Sequence, residues 1–224
     1  GNIRDAALTM LGDPGGYFGA WLEFPNDQRY LMSMSPELFL QLDGDSRTVI
    51  TRPMKGTRPE YDDPESLMRS EKDAAELHMI VDLMRNDLGR VCEFGSMEVL
   101  NSRKIERHPT VWQCVGEVRG TLRDDATASD LIRATFPAGS VTGAPKIRAM
   151  QIINSLEPSP RKVYCGAIGV LGPTLMLSVA IRTAMFSGSA DPRHFKGEME
   201  YSAGCGIVAE SKPEDELRES EVKT

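Results

Sequence analysis

A lysine sits between two prolines in Arg52-Pro53-Met54-Lys55-Gly56-Thr57-Arg58-Pro59, directly before a Gly-Thr pair. A lone loop lysine is ordinarily solvated and inert. Here the prolines fix the backbone on both sides, and Gly56 lets it come close to a ligand. A lysine held in that way can lose part of its solvation, lower its pKa and act as a nucleophile. Ser35-Pro36-Glu37 adds a carboxylate at the end of a strand, able to give or take a proton across a cleft, although a lone acid there is more simply an exposed turn residue.

Three further clusters carry oxygen ligands or anion-binding groups. Glu76 lies on a helical stretch that continues through His78-Met79-Ile80-Val81-Asp82-Leu83-Met84-Arg85-Asn86-Asp87, where local ion pairs are the bland reading. Phe136-Pro137-Ala138-Gly139-Ser140-Val141-Thr142-Gly143-Ala144-Pro145-Lys146 is a loop rich in glycine and hydroxyl groups that runs into a helix start. Its free N–H donors and the helix dipole suit an anionic group, while its spacing matches neither a Walker A loop nor a dinucleotide fingerprint. Ser202-Ala203-Gly204-Cys205-Gly206-Ile207-Val208 precedes Glu214, Glu216, Glu219 and Lys223. Glu216 and Glu219 are three apart on one helical face, as two ligands of a hard cation must be, and an ordinary ion pair with Lys223 would use the same spacing.

The elements that must position these residues follow from periodicity. Apolar and polar residues alternate along Tyr17–Phe24, Tyr30–Ser35, Leu38–Leu42 and Thr48–Thr51, with turns at Pro25-Asn26-Asp27 and Asp43-Gly44-Asp45. This pattern predicts an antiparallel meander. Leu77, Ile80, Val81, Met84 and Leu88 recur at three and four, predicting a helix over Asp73–Leu88 that stops near Gly89. A short strand pair is predicted around Glu98–Leu100 and Trp112–Val118. Next comes a helix capped by Thr127 or Ser129 and stopped by Pro137, then a helix over Pro145–Leu156 with the proline in its first turn. Strands are predicted again over Cys165–Leu171, Leu175–Met185 and Met199–Val208, and an acidic helix over Pro213–Thr224. Strand runs separated by a few helices give an α+β fold with antiparallel sheets.

Composition narrows the partners. The 224 residues carry a net charge of −7 with no basic block, which disfavours nucleic acid and anionic membranes. No apolar run is long enough to span a membrane, and the first residues do not read as a signal peptide. The widely spaced Cys92, Cys114, Cys165 and Cys205 show no zinc pattern and read as reduced, buried residues, so a cytoplasmic location is expected.

Taken in order from about Tyr17 to Lys223, the clusters resemble the chorismate-binding domain shared by anthranilate synthase component I, aminodeoxychorismate synthase component I and the isochorismate and salicylate synthases. The strings VDLMRND, FPAGSVTGAPK, YCGAIG, AIRT and AGCGIVAES carry the resemblance. It implies a β-sandwich core with helices packed outside, and residues 1–224 as a catalytic domain lacking an N-terminal segment and most of the last helix. It also implies Glu37 as the general acid for the departing C4 hydroxyl, and Mg²⁺ carried by Glu76 and Glu219 with Glu216 beside them. Arg182, Tyr164, Gly204, Gly206 and Lys223 would cradle the pyruvyl carboxylate, and Thr57 and Ser140 would line the pocket.

The residue before Gly56-Thr57 is commonly alanine in anthranilate synthases, whereas Lys55 resembles the aminodeoxychorismate synthases. The implied reaction is amination of chorismate through a lysine adduct, with ammonia from a glutamine amidotransferase subunit or fused domain. Gln113 stands where many relatives carry a histidine linked to pyruvate elimination, which is compatible with stopping at the aminated product. Anthranilate formation, or a non-catalytic relative that binds a carboxylate, are the alternatives.

Overall fold

In the computed structural model, which describes residues 1–12, 18–108, 111–209 and 211–222, the alternating runs form antiparallel strands and the runs with apolar residues three and four apart form helices. In chain order the elements are α1 (Ile3–Gly12), β1 (Phe18–Phe24), β2 (Arg29–Ser35), β3 (Leu38–Asp43), β4 (Thr48–Arg52), β5 (Met54–Pro59), α2 (Glu65–Arg69) and α3 (Glu71–Gly89). There follow β6 (Glu98–Arg107), β7 (Val111–Thr121), α4 (Ala128–Thr135), α5 (Lys146–Leu156), β8 (Ala167–Val170), β9 (Thr174–Val179), β10 (Thr183–Gly188), β11 (Gly197–Tyr201) and α6 (Pro213–Val222). The fold class is α+β with antiparallel sheets. Among the described residues no helix is long and apolar enough to cross a membrane.

The chain divides into two compact units, residues 37–179 and residues 1–36 with 180–224. The discontinuous unit holds a four-stranded sheet in the order β1-β2-β10-β11. Its core is aromatic: Tyr30 stacks on Trp21, and Phe195 meets Tyr30 and Phe186 edge to face. The central unit holds a sheet in the order β5-β7-β4-β3-β9-β8, with β6 on the other side of β7.

The predicted meander is therefore corrected. β1–β2 and β3–β4 are separate hairpins in separate sheets, because Pro36 follows β2 and β3 turns to pair with β9 instead. The run Leu175–Met185 is likewise two strands, one in each sheet. Arg182, between them, takes a left-handed backbone (φ 50°), so the chain turns out of one sheet into the other. The last strand ends at Tyr201 rather than Val208, and α5 begins one residue after Pro145. The helix α1, for which no element is predicted above, spaces Ile3, Ala7 and Leu11 four apart and buries Ala7.

β4 and β5 are two halves of one line along β7, interrupted by Pro53. Pro53 has no N–H to donate, yet its carbonyl still accepts from Gly116 N–H at 2.9 Å. Across this end of the sheet lies α3, burying Leu77, Ile80, Val81, Met84 and Leu88 as the spacing predicts. Each such side chain contributes about 1.5–3 kcal/mol on burial. Ser70 caps the helix by accepting from Asp73 N–H. At α4 the cap is Thr127, with Asp130 completing a reciprocal box.

Candidate active site

Lys55 is on a strand, not in a loop, which corrects the sequence reading. Prolines bound β5, but its N–H and C=O groups between them pair with β7. The register slips between Lys55 and Thr57, so Lys55 lies opposite Cys114 and Thr57 opposite Gln113. Gly56, at the slip, has φ +79°, and a Cβ there would lie 3.0 Å from Asp73 Cγ and 3.1 Å from Leu67 Cδ2. Only glycine fits such a bulge without strain. The extra residue brings both Lys55 and Arg58 to α3: Lys55 Nζ lies 3.6 Å from Glu76 Oε2, and Arg58 donates to Asp73 at 2.9 Å. The Lys55 and Glu76 side chains are only 18% and 11% exposed.

Glu37 enters β3 immediately after Pro36 and is 5% exposed. Its carbonyl accepts from Val179 N–H at 3.1 Å, fixing the strand end. Burial raises its carboxyl pKa to about 7, against the opposing pull of the Ser140 hydroxyl, the Lys55 charge and the Met54 N–H. Ser140 Oγ is itself buried and, among the described residues, has no well-aligned hydrogen bond. It is close enough to stabilise the Glu37 carboxylate without ideal geometry. Glu37, Lys55, Glu76 and Ser140 thus form one neighbourhood in the central unit: a carboxyl poised near neutrality beside a shielded amine.

The remaining expected residues come from both units. Thr57 is exposed and accepts from Gln113 Nε2 at 3.4 Å; Gln113 is buried, and its Oε1 has no partner among the described residues. Tyr164 lines a cavity of about 470 Å³ with Thr142, Met150, Arg161 and Cys165, and burial holds its hydroxyl proton well above the ordinary tyrosine range. Arg182, Gly204, Gly206, Glu216 and Glu219 belong to the discontinuous unit. There Cys205 Sγ donates to the Glu216 carbonyl at 3.4 Å, tying the glycine stretch to α6. Glu216 is buried and Glu219 exposed. Lys223 lies outside the described residues.

As a donor set, Glu76, Glu216 and Glu219 offer only hard carboxylate oxygens, the chemistry that suits Mg²⁺. Glu76 belongs to the central unit, and Glu216 and Glu219 to the discontinuous one. Glu76 is engaged by Lys55. Sequence reasoning missed the Arg58–Asp73 rung and the neighbourhood of Lys146. The latter's donor groups meet partners that no short motif reveals.

The profile of the chorismate binding enzyme family matches residues 14–224. The chain is 44% identical over 199 residues to aminodeoxychorismate synthase component 1 of Salmonella typhimurium, covering 85% of this chain and 42% of that protein. It is 43% identical over 201 residues to anthranilate synthase component 1 of Streptomyces coelicolor, covering 86% of this chain and 37% of that protein. The crystal structure of anthranilate synthase component I from Streptococcus pneumoniae superposes with a TM-score of 0.84 at 35% identity, covering 100% of this chain and 48% of that one. The chain thus spans less than half the length of these relatives. Its motifs, its fold and the family profile agree, and the chain belongs to the chorismate binding enzyme family.

Proposed function

We propose that this chain is the chorismate-converting part of an aminodeoxychorismate synthase, which aminates chorismate to 4-amino-4-deoxychorismate with ammonia from a glutaminase partner or fused domain. The observation that carries this reading is the placement of Lys55 on the β5 bulge, shielded beside Glu76 and acting electrostatically on the buried Glu37. In its free-base form the Lys55 amine attacks C2 of the ring, both ring double bonds shift by one position towards C4, and the C4–O bond breaks. Glu37, protonated up to about neutral pH, gives its proton to the departing oxygen so that water leaves. Ammonia then forms a bond at C4, both double bonds shift back, and the C2–N bond to Lys55 breaks, releasing the amine. Dividing the displacement in two suits a scarce nucleophile.

Glu76 and Glu219, with Glu216 beside them, would hold Mg²⁺, which when bound would neutralise substrate carboxylate charge and favour loss of the C4 oxygen. Arg182, Tyr164, Gly204, Gly206 and Lys223 would receive the pyruvyl carboxylate, the guanidinium in bidentate fashion. Thr57 and Ser140 would line the ring pocket. Anthranilate formation is the second reading, supported by relatives of that name at nearly equal identity. Incubation with chorismate, Mg²⁺ and ammonia separates the two: the proposal expects 4-amino-4-deoxychorismate and a chorismate-derived mass on the Lys55 peptide. Fluorescent anthranilate without an added lyase would refute it.

A further inference from the structure

Asp87 and Lys146 each stand at the wrong end of a helix. Asp87 is in the last turn of α3, where the dipole disfavours an anion, and Lys146 opens α5, where it disfavours a cation. What holds them is each other. Lys146 Nζ donates to Asp87 Oδ2 at 2.5 Å, to Thr135 O at 2.6 Å and to Pro137 O at 2.6 Å. All three ammonium donors are used, and the side chain is 12% exposed. Asp87 is buried as well, and its other oxygen accepts from Arg90 at 2.7 Å.

The ammonium therefore closes residues 135–146 into a loop whose two ends are tied to α3. Inside the loop the chain is braced: Thr142 Oγ1 donates to Ala138 O at 3.0 Å, and Arg161 donates to Val141 O at 2.8 Å. Gly139 rides directly on α3, where a Cβ would lie 3.0 Å from Leu83 Cδ2 and 3.3 Å from Met84 Sδ. The next residue is Ser140, whose hydroxyl faces Glu37.

We propose that Lys146 is a positioning residue: by tying the Thr135 and Pro137 carbonyls to Asp87, it fixes the turn that carries Ser140 against Glu37. The α3 helix, which carries Glu76 near its start and Asp87 near its end, thereby sets both sides of the neighbourhood. Its consequence for turnover rests on the amination reading above.

Two measurements on the full chain test the clamp. In Lys146→Met, amide hydrogen exchange over residues 138–143 should quicken at least about tenfold while α3 and the central sheet stay within about twofold. Exchange that is unchanged in that turn, or faster throughout the unit, overturns the proposal. Should K146M not fold, Asp87→Asn keeps the two carbonyl bonds and should loosen the same turn less. For turnover of chorismate with ammonia, K146M and S140A should each lower kcat about tenfold with little change in KM, and the double variant should fall no further than either. Independent, multiplying losses overturn it. If the unaltered protein makes no 4-amino-4-deoxychorismate, the amination reading fails, and the exchange data still decide the clamp.

Discussion

Lys55 and Glu76 form an ion pair, Nζ to Oε2 3.6 Å, between a bulged strand and the helix that lies across it. One turn nearer the helix start, Asp73 takes Arg58 from the same strand. A regular strand would send residues 55 and 58 to opposite faces; the extra residue at Gly56 sends both to α3. The nucleophile of the proposed reaction is thus placed by a backbone irregularity rather than by a loop.

Gly56→Ala tests that placement. The new Cβ would adopt φ +79° and press on Asp73 and Leu67, so the bulge must flatten or strain. The expected cost is about 1–3 kcal/mol in stability, with loss of most Lys55 adduct even where the variant folds. Denaturant unfolding and mass spectrometry of the Lys55 peptide measure the two effects. Normal adduct yield would show that the bulge does not place the amine.

Glu37 gives a pH prediction with a definite sign. Its carboxyl rises from the ordinary 4.5 to about 7 on folding, so the folded state holds a proton that the unfolded chain releases. Stability from this group is intact below pH 4.5, falls as pH rises towards 7, and is constant above. Glu37→Gln, which cannot ionise, should therefore gain on the native protein across that window, by up to about 3 kcal/mol. Parallel unfolding curves at pH 4.5 and 8 should show the gap. Proton donation from Glu37 should also fade above pH 7, so the native rate should decline there.

Much of this was legible in the residues, and the parts that were not share a cause. The apolar ladder Leu77, Ile80, Val81, Met84, Leu88 announces α3, and the buried face contains all five together with Asp87. β5 was not legible because its flanking prolines read as loop markers, whereas Pro53 merely interrupts a strand whose carbonyl remains in use. The break at Arg182 was hidden because both halves of that run alternate correctly and only the switch between sheets divides them. The Lys146 clamp was hidden because two of its three acceptors are backbone carbonyls, which no side-chain motif encodes.

Glu76→Gln removes the charge that faces Lys55 and, in the proposed reaction, one Mg²⁺ carboxylate. Turnover should then need at least about tenfold more Mg²⁺, since loss of a ligand charge weakens a hard-cation site at least as much as loss of a supporting contact. Titrating Mg²⁺ against initial rate checks this. An unchanged Mg²⁺ midpoint would remove Glu76 from the metal site and leave it solely as the Lys55 partner.

The seat of α3 on the sheet depends on Gly116 of β7. A Cβ at that position would lie 2.3 Å from Val81 Cγ2, far inside contact distance, with Leu77 Cδ1 at 3.6 Å behind it. Gly116→Ala should push α3 away and carry Glu76 with it, costing about 1–3 kcal/mol by overpacking and lowering turnover. Val81→Ala alone should also destabilise, by opening space under the helix. Together the two changes add one methyl and remove two, including the Val81 Cγ2 that blocks the new Cβ, so G116A/V81A should be more stable than the sum of the single effects predicts and should recover activity. Unfolding free energies and initial rates of all four proteins form the cycle. Additive losses would mean that helix and sheet do not meet at this contact, and that Glu76 is held in place by something other than the seat of α3.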